Sequence, residues 1–207
     1  MSRMEIIKLD EAGYWGALYG LSLSFKPESI SFYTWWDIEK KMQMHKLAKT
    51  QAQKDGGHNK FLESIITWYS IKAPRGWWQE YDTYRLETKN SASTMHTIQR
   101  KELTELDFEE GTDPSVISNF NSLLRKYTDN FTNTKRLSGE ALEIIKWNLP
   151  EGFLQTRQVR ISYRTLRNII LQRSTHRLPQ WQIFIDTIYK TVNEPGLLPD
   201  RVGRMDL

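Results

Sequence analysis

The sequence predicts a mixed α+β domain, a central sheet flanked by helices. Three observations lead there. Segments 61–72 and 155–163 carry strand signals, β-branched and aromatic content in the first and alternation in the second. Segments 114–128, 138–147 and 180–192 repeat apolar residues at helical spacing. The chain has 207 residues, 39% hydrophobic and 26% charged, an ordinary globular balance with enough length for a real core. One domain over 1–207 is expected, with a surface excursion at about 101–118 and a C-terminal tail at 195–207.

Residues 31–52 read as a partly exposed helix, rich in helix formers over 46–53, that stops at Asp55-Gly56-Gly57. The strand at 61–72 follows, after a short helical start, and Pro74 breaks it. Residues 76–85 then form a helix beginning just after that proline. The small, polar stretch 88–97 reads as a loop offering hydroxyls, an amide and backbone N–H groups. Residues 101–118 are acidic and contain Gly111 and Pro114. The helix at 114–128 places Val116, Ile117, Phe120, Leu123 and Leu124 on one face. The next, 138–147, is capped by Ser138 and ends before Asn148-Leu149-Pro150. A helix over 165–173 follows the second strand. The helix at 180–192 gathers Trp181, Phe184, Ile188 and Val192 behind Pro179. The tail after Pro195 is expected on the surface.

Composition narrows the chemistry. There is no cysteine, which excludes disulfides, thiolate metal sites and thiol nucleophiles together. Four histidines, none at i, i+4 spacing, make no zinc signature, so no metal is expected. Neither a GxxxxGK[ST] nor a GxGxxG loop occurs. No apolar run is long enough to span a membrane. The start, MSRMEIIKLDEAG, lacks a signal-peptide core, so a cytoplasmic location is expected. A net charge of +4 and a pI of about 9.2 suit an anionic ligand, and equally a merely soluble protein. With 12% aromatics, a basic nucleic-acid-binding protein is the alternative of another class. Against it, the basic residues are dispersed and no nucleic-acid motif appears.

Three blocks, in order, resemble the flavin-dependent thymidylate synthases. Gly57-His58-Asn59-Lys60-Phe61-Leu62-Glu63-Ser64 is similar to the family's GHxTxFEH element, which also precedes a strand and a proline. Thr83-Tyr84-Arg85, then Thr88, Asn90, Ser91, Ser93 and Met95, stand where the family has RHRxxSxNExSxR. Arg85, Asn90 and Ser93 keep the residue type; Thr83, Tyr84, Ser91 and Met95 depart from it. Leu149-Pro150, Thr156, Arg164-Thr165-Leu166-Arg167-Asn168, Arg173 and Gln180-Trp181-Gln182-Ile183 follow the pattern LP … T … NxRSLxxFLxLR … AQWEI. This third block is the most specific, and the resemblance covers roughly residues 10–195.

The resemblance implies a transferase. A one-carbon unit from methylenetetrahydrofolate is added to carbon 5 of dUMP, with FAD as redox cofactor and NADPH as its reductant. It also implies a homotetramer with shared active sites. The ring carbon is a weak nucleophile, and without a thiol it must be activated electrostatically. Arg173 takes that role by resemblance, as a permanently charged planar fork; an arginine ending a helix also suits the macrodipole. Glu80, Ser91, Ser93, Thr94, Lys146 and Arg173 are the candidate substrate-binding residues. His58, Lys60, Glu63, Tyr84, Arg85, Asn90, Arg164, Asn168 and His176 are the candidate cofactor-binding residues. The altered second block keeps open a hydroxymethylase, in which water captures the one-carbon adduct. Arg157, Arg160, Arg164 and Arg167 form a basic series that reads as ligand cradle, solvated face or intersubunit ion pairs.

Overall fold

The computed structural model describes residues 2–25, 37–85, 87–131 and 137–200. Its centre is a four-stranded antiparallel sheet of β1 (Glu5–Ala12), β2 (Ile66–Pro74), β3 (Thr88–Ser91) and β4 (Leu154–Ser162), in the order β1-β2-β4-β3. The helices are α1 (Tyr14–Ser22), α2 (Ile38–Ala52), α3 (Arg75–Tyr81), α4 (Thr94–Thr97), α5 (Pro114–Thr128), α6 (Gly139–Trp147), α7 (Tyr163–Arg173) and α8 (Pro179–Thr191). The mixed α+β class is as the sequence predicts. The chain forms two compact units. One comprises Met1–Ile6, Ser70–Thr83 and Asn90–Gln158, the other Ile7–Tyr69, Tyr84–Lys89 and Val159–Leu207.

Strand β2 owes its place to alternation. Thr67, Tyr69, Ile71 and Ala73 are fully buried, and the residues between them only partly so. It begins later than predicted. Residues Gly56–Ser64 form a 3₁₀ helix whose Phe61 and Leu62 are buried, so their apolar character serves the core rather than a strand. Pro74 ends β2 and caps α3, which stops at Tyr81 rather than Arg85. The expected loop at 88–97 instead contains β3 and the single turn α4. The Asn90 side chain donates to Gln158 Oε1 at 3.1 Å, and Ala92 N donates to Thr156 O at 2.9 Å. The predicted start of α2 at Ser31 lies outside the described residues; α2 begins behind Asp37, which accepts from Lys40 N at 2.7 Å. Ser138 and Ser162 cap α6 and α7 through their hydroxyls, accepting from Ala141 N and Thr165 N.

In the first unit the core is Ile98, Leu103, Phe108, Ile117, Phe120, Leu124, Ile145 and Leu149. Segment 101–118 is mostly exposed, yet it inserts Leu103 and Phe108 into this core. The Asn121 amide pins Leu103 by both backbone groups. Burial alone would raise the Asp107 carboxyl. Hydrogen bonds from Thr104 and the Lys101 charge outweigh it and hold Asp107 below the ordinary carboxylate range.

In the second unit the buried Leu18, Ala48, Leu62, Ile65, Leu166, Ile170, Trp181 and Phe184 lie in or beside α1, α2, the 3₁₀ segment, α7 and α8. Glu11, its side chain 3% exposed, accepts from Tyr163 OH at 2.6 Å, Asn193 N at 2.9 Å and Lys8 Nζ at 2.9 Å. Burial and this carboxylate push the Tyr163 phenol far above its usual range. The tail is not wholly superficial: Leu197 and Leu198 are buried, and Gln53 Nε2 donates to Leu198 O at 2.9 Å.

Gly13 joins β1 to α1 at φ 96°, and a Cβ there would meet Ser64 O at 2.0 Å. Both the backbone conformation and the close approach require glycine. Gly13→Ala is expected to lower unfolding free energy by more than about 2 kcal/mol, since strain and backbone clash add. Urea denaturation checks this, with Gly57→Ala, which meets nothing within 4 Å, as the mild control.

Candidate active site

In the second unit Arg173 is the last residue of α7. Its Nε donates to Tyr84 OH at 2.8 Å. Its guanidinium lies over the Trp181 ring at 4.8 Å and the Tyr84 ring at 5.6 Å. The His176 ring meets Trp181 edge-on, with centroids 6.2 Å apart. Gln182 Nε2 donates to Ser174 O at 2.8 Å and Arg173 O at 3.3 Å, fixing the turn that carries the arginine. Trp181 is fully buried and held in an edge-to-face pair with Phe184. The result is a half-buried guanidinium at a fixed height on an aromatic platform. Arg173, Tyr84 and His176, singled out in sequence as site candidates, therefore meet around Trp181, which the sequence marks as a motif and helix-face residue but not as a site candidate.

The same unit contains a cleft of about 600 Å³. It is lined by α1 (Gly16, Ala17, Gly20, Leu21), by Gln51 of α2, and by His58, Lys60, Phe61 and Glu63 of the 3₁₀ segment. Glu63 accepts from Arg164 at 2.9 Å, so two candidate cofactor residues neutralise each other. Lys60 leaves the rim positive. At Gly16, Gly20 and Gly57 a Cβ would meet nothing within 4 Å, so bare backbone faces open space. Arg85 and Asn168 are exposed in this unit. The volume, the apolar wall and the few convergent polar groups suit part of a large planar anion such as a flavin dinucleotide.

The first unit holds the remaining candidates. Asn90 and Ser91 end β3, and Ser93 and Thr94 lead into α4. Gln155 Nε2 donates to Ala92 O at 3.2 Å, tying this segment to β4. Glu80 is half-buried in α3, and Lys146 is exposed near the end of α6. Most of the basic series is engaged within its own unit. Arg157 pairs with Asp82 at 2.9 Å, Arg164 with Glu63, and Arg167 with Asp55 at 3.1 Å, so it is neither a free cradle nor a purely solvated face. Arg160 is exposed. Among the described residues there is no cluster of three acidic, histidine or cysteine groups that could hold a metal. No helix among them is long and apolar enough to cross a membrane.

No protein-family model matches the chain, and no curated protein sequence does so significantly. Solved structures do. A crystal structure of the flavin-dependent thymidylate synthase ThyX from Helicobacter pylori, complexed with FAD and dUMP, superposes with a TM-score of 0.75 at 16% identity. It covers 96% of this chain and 100% of that one. A second ThyX structure from the same organism, also with FAD and dUMP, gives 0.70 at 18% identity, covering 97% and 100%. The chain has the ThyX fold. The residues quoted for the resemblance are thus carried on a backbone arranged like that of ThyX over nearly the whole length. At this identity the likeness establishes the fold, and activity must be argued from the side chains.

Proposed function

We propose that the chain is a flavin-dependent one-carbon transferase acting on a pyrimidine nucleotide, converting dUMP to dTMP. The observation that carries this reading is the oriented Arg173 guanidinium, on a fold that in ThyX accommodates FAD and dUMP. Arg173 holds the carbonyl edge of the pyrimidine and stabilises negative charge as the ring becomes electron-rich. Tyr84 and Trp181 keep the guanidinium from turning away. Ser91, Ser93, Thr94 and Lys146 bind the phosphate, small hydroxyl residues admitting it to backbone N–H groups and the lysine acting as a point charge. Glu80 orients the nucleotide. His58, Lys60, Glu63, Arg164 and Asn168 hold the flavin, with Tyr84, Arg85, Asn90 and His176 completing the set. When bound and reduced by NADPH, the flavin supplies the hydride that completes the methyl group. The methylene carbon of methylenetetrahydrofolate forms a bond to carbon 5 as one of its two bonds to folate nitrogen breaks; the carbon 5 proton then leaves and the second carbon–nitrogen bond breaks, releasing tetrahydrofolate and leaving a carbon that takes the hydride. The homotetramer with shared sites belongs to the same reading.

The departures at Thr83 and Tyr84 favour one second reading, a hydroxymethylase needing no net reduction. Product mass with dUMP, folate donor and NADPH separates the two. An NADPH-dependent gain of one methylene supports the synthase, and an added oxygen supports the hydroxymethylase. No new product with dUMP or dCMP contradicts both.

A further inference from the structure

The cleft of the second unit contains a polar group that the fold itself leaves unused. Gln51 lies in the last turn of α2, is 8% exposed and lines the cleft. Its backbone carbonyl accepts from Lys54 N at 3.2 Å, but its carboxamide has no hydrogen-bond partner among the described residues. Neither amide atom is sealed in the core, so the carboxamide opens to the cleft. The neighbouring α2 residues Ala48 and Ala52 are fully buried, which holds the helix and sets where the amide can reach.

The surroundings define what would complete it. Gly16 and Gly20, one turn apart on α1, present backbone with no Cβ, and that space is open. Phe61 and Leu21 supply apolar surface. Lys60 supplies positive charge that is not matched by Glu63, because Glu63 is paired with Arg164. The cleft therefore offers a flat wall, an amide and a cation. A carboxamide presents a donor and an acceptor side by side.

We infer that Gln51 is a specificity-determining residue of this cleft, its carboxamide pairing with the amide-like edge of a planar nitrogen heterocycle whose anionic arm is met by Lys60. This deepens the proposed function and rests on it for the ligand class. Two ligands of that reading, the flavin dinucleotide and the reduced folate, have this chemistry.

The test uses Gln51→Leu in the full chain. Titration with FAD is followed by flavin fluorescence, with 5-formyltetrahydrofolate and dUMP by calorimetry. Because the amide has no protein partner, Tm is expected to hold or rise. Affinity for FAD or for the folate is expected to fall about tenfold or more, with dUMP unchanged, since a buried polar group built to read a ligand discriminates strongly. A loss confined to FAD assigns the cleft to the dinucleotide, and one confined to the folate assigns it there. If both affinities stay within about twofold of the parent chain, the inference is wrong while the proposed function stands. If the parent chain binds neither ligand, the proposed function fails and the inference with it. Should Gln51→Leu not fold, Gln51→Met carries the same comparison.

Discussion

Arg173→Ala is expected to slow turnover of the pyrimidine nucleotide by about a hundredfold to a thousandfold, the cost of removing one preorganised charge donor from a polar transition state. The physical basis is the support around the guanidinium. Tyr84 OH accepts from Nε at 2.8 Å and Trp181 lies beneath at 4.8 Å, so the charge is already oriented before substrate arrives. Arg173→Lys restores little, because an ammonium lacks the planar fork and does not stack in the same way. Tyr84→Phe is milder, about tenfold, as the platform remains and only one hydrogen bond is lost. Single-turnover rates at saturating dUMP measure these effects directly. Thermal stability of Arg173→Ala should stay within about 1 kcal/mol of the parent, since Arg173 is only half-buried. A variant that folds and turns over normally contradicts the assignment.

Trp78→Ala is expected to cost about 3–5 kcal/mol of stability. Trp78 is fully buried in α3, packed edge-on against Trp77 at 5.0 Å and Tyr81 at 5.3 Å. Its Nε1 donates to Gln155 O at 2.9 Å, and the Arg157 guanidinium lies over its ring at 4.4 Å. Truncation therefore opens a cavity and removes the donor of a strand carbonyl. For a chain of this size that corresponds to a drop in Tm of about 10 °C or more. Trp78→Phe keeps much of the packing and should lose roughly half as much. Differential scanning calorimetry decides it, and a drop of less than about 2 °C for the alanine variant would contradict this packing role of Trp78.

Much of the fold was legible because the signals are local. Ser138 and Ser162 cap their helices from within the next few residues, and Pro74 ends β2 by its own chemistry. What escaped depends on distant partners. Residues Thr88–Ser91 are polar and read as a loop, but they are a strand because β4 pairs with them from more than sixty residues away. Phe61 and Leu62 look like strand residues, yet they serve a 3₁₀ turn whose buried side needs apolar groups. Leu103 and Phe108 sit in an acidic stretch that gives no hint of a second core.

The candidate site divides in the same way. Arg173 is legible from the order of a motif that spans Leu149 to Ile183. Its platform, Trp181, belongs to the same motif and to the apolar face of its helix, and only the tertiary contact shows that it supports the guanidinium. Arg164 and Glu63 are separate cofactor candidates in the sequence, and the structure pairs them. Gln51 carried no sequence signal at all, being one polar residue in a polar helix.

The most direct test of the central claim is a crystal structure of the chain with FAD and dUMP bound. The account predicts the pyrimidine carbonyl edge within hydrogen-bond distance of the Arg173 guanidinium and flavin density against His58 and Lys60. A pyrimidine base bound elsewhere, with Arg173 still locked on Tyr84 and Trp181 and touching no ligand, contradicts it.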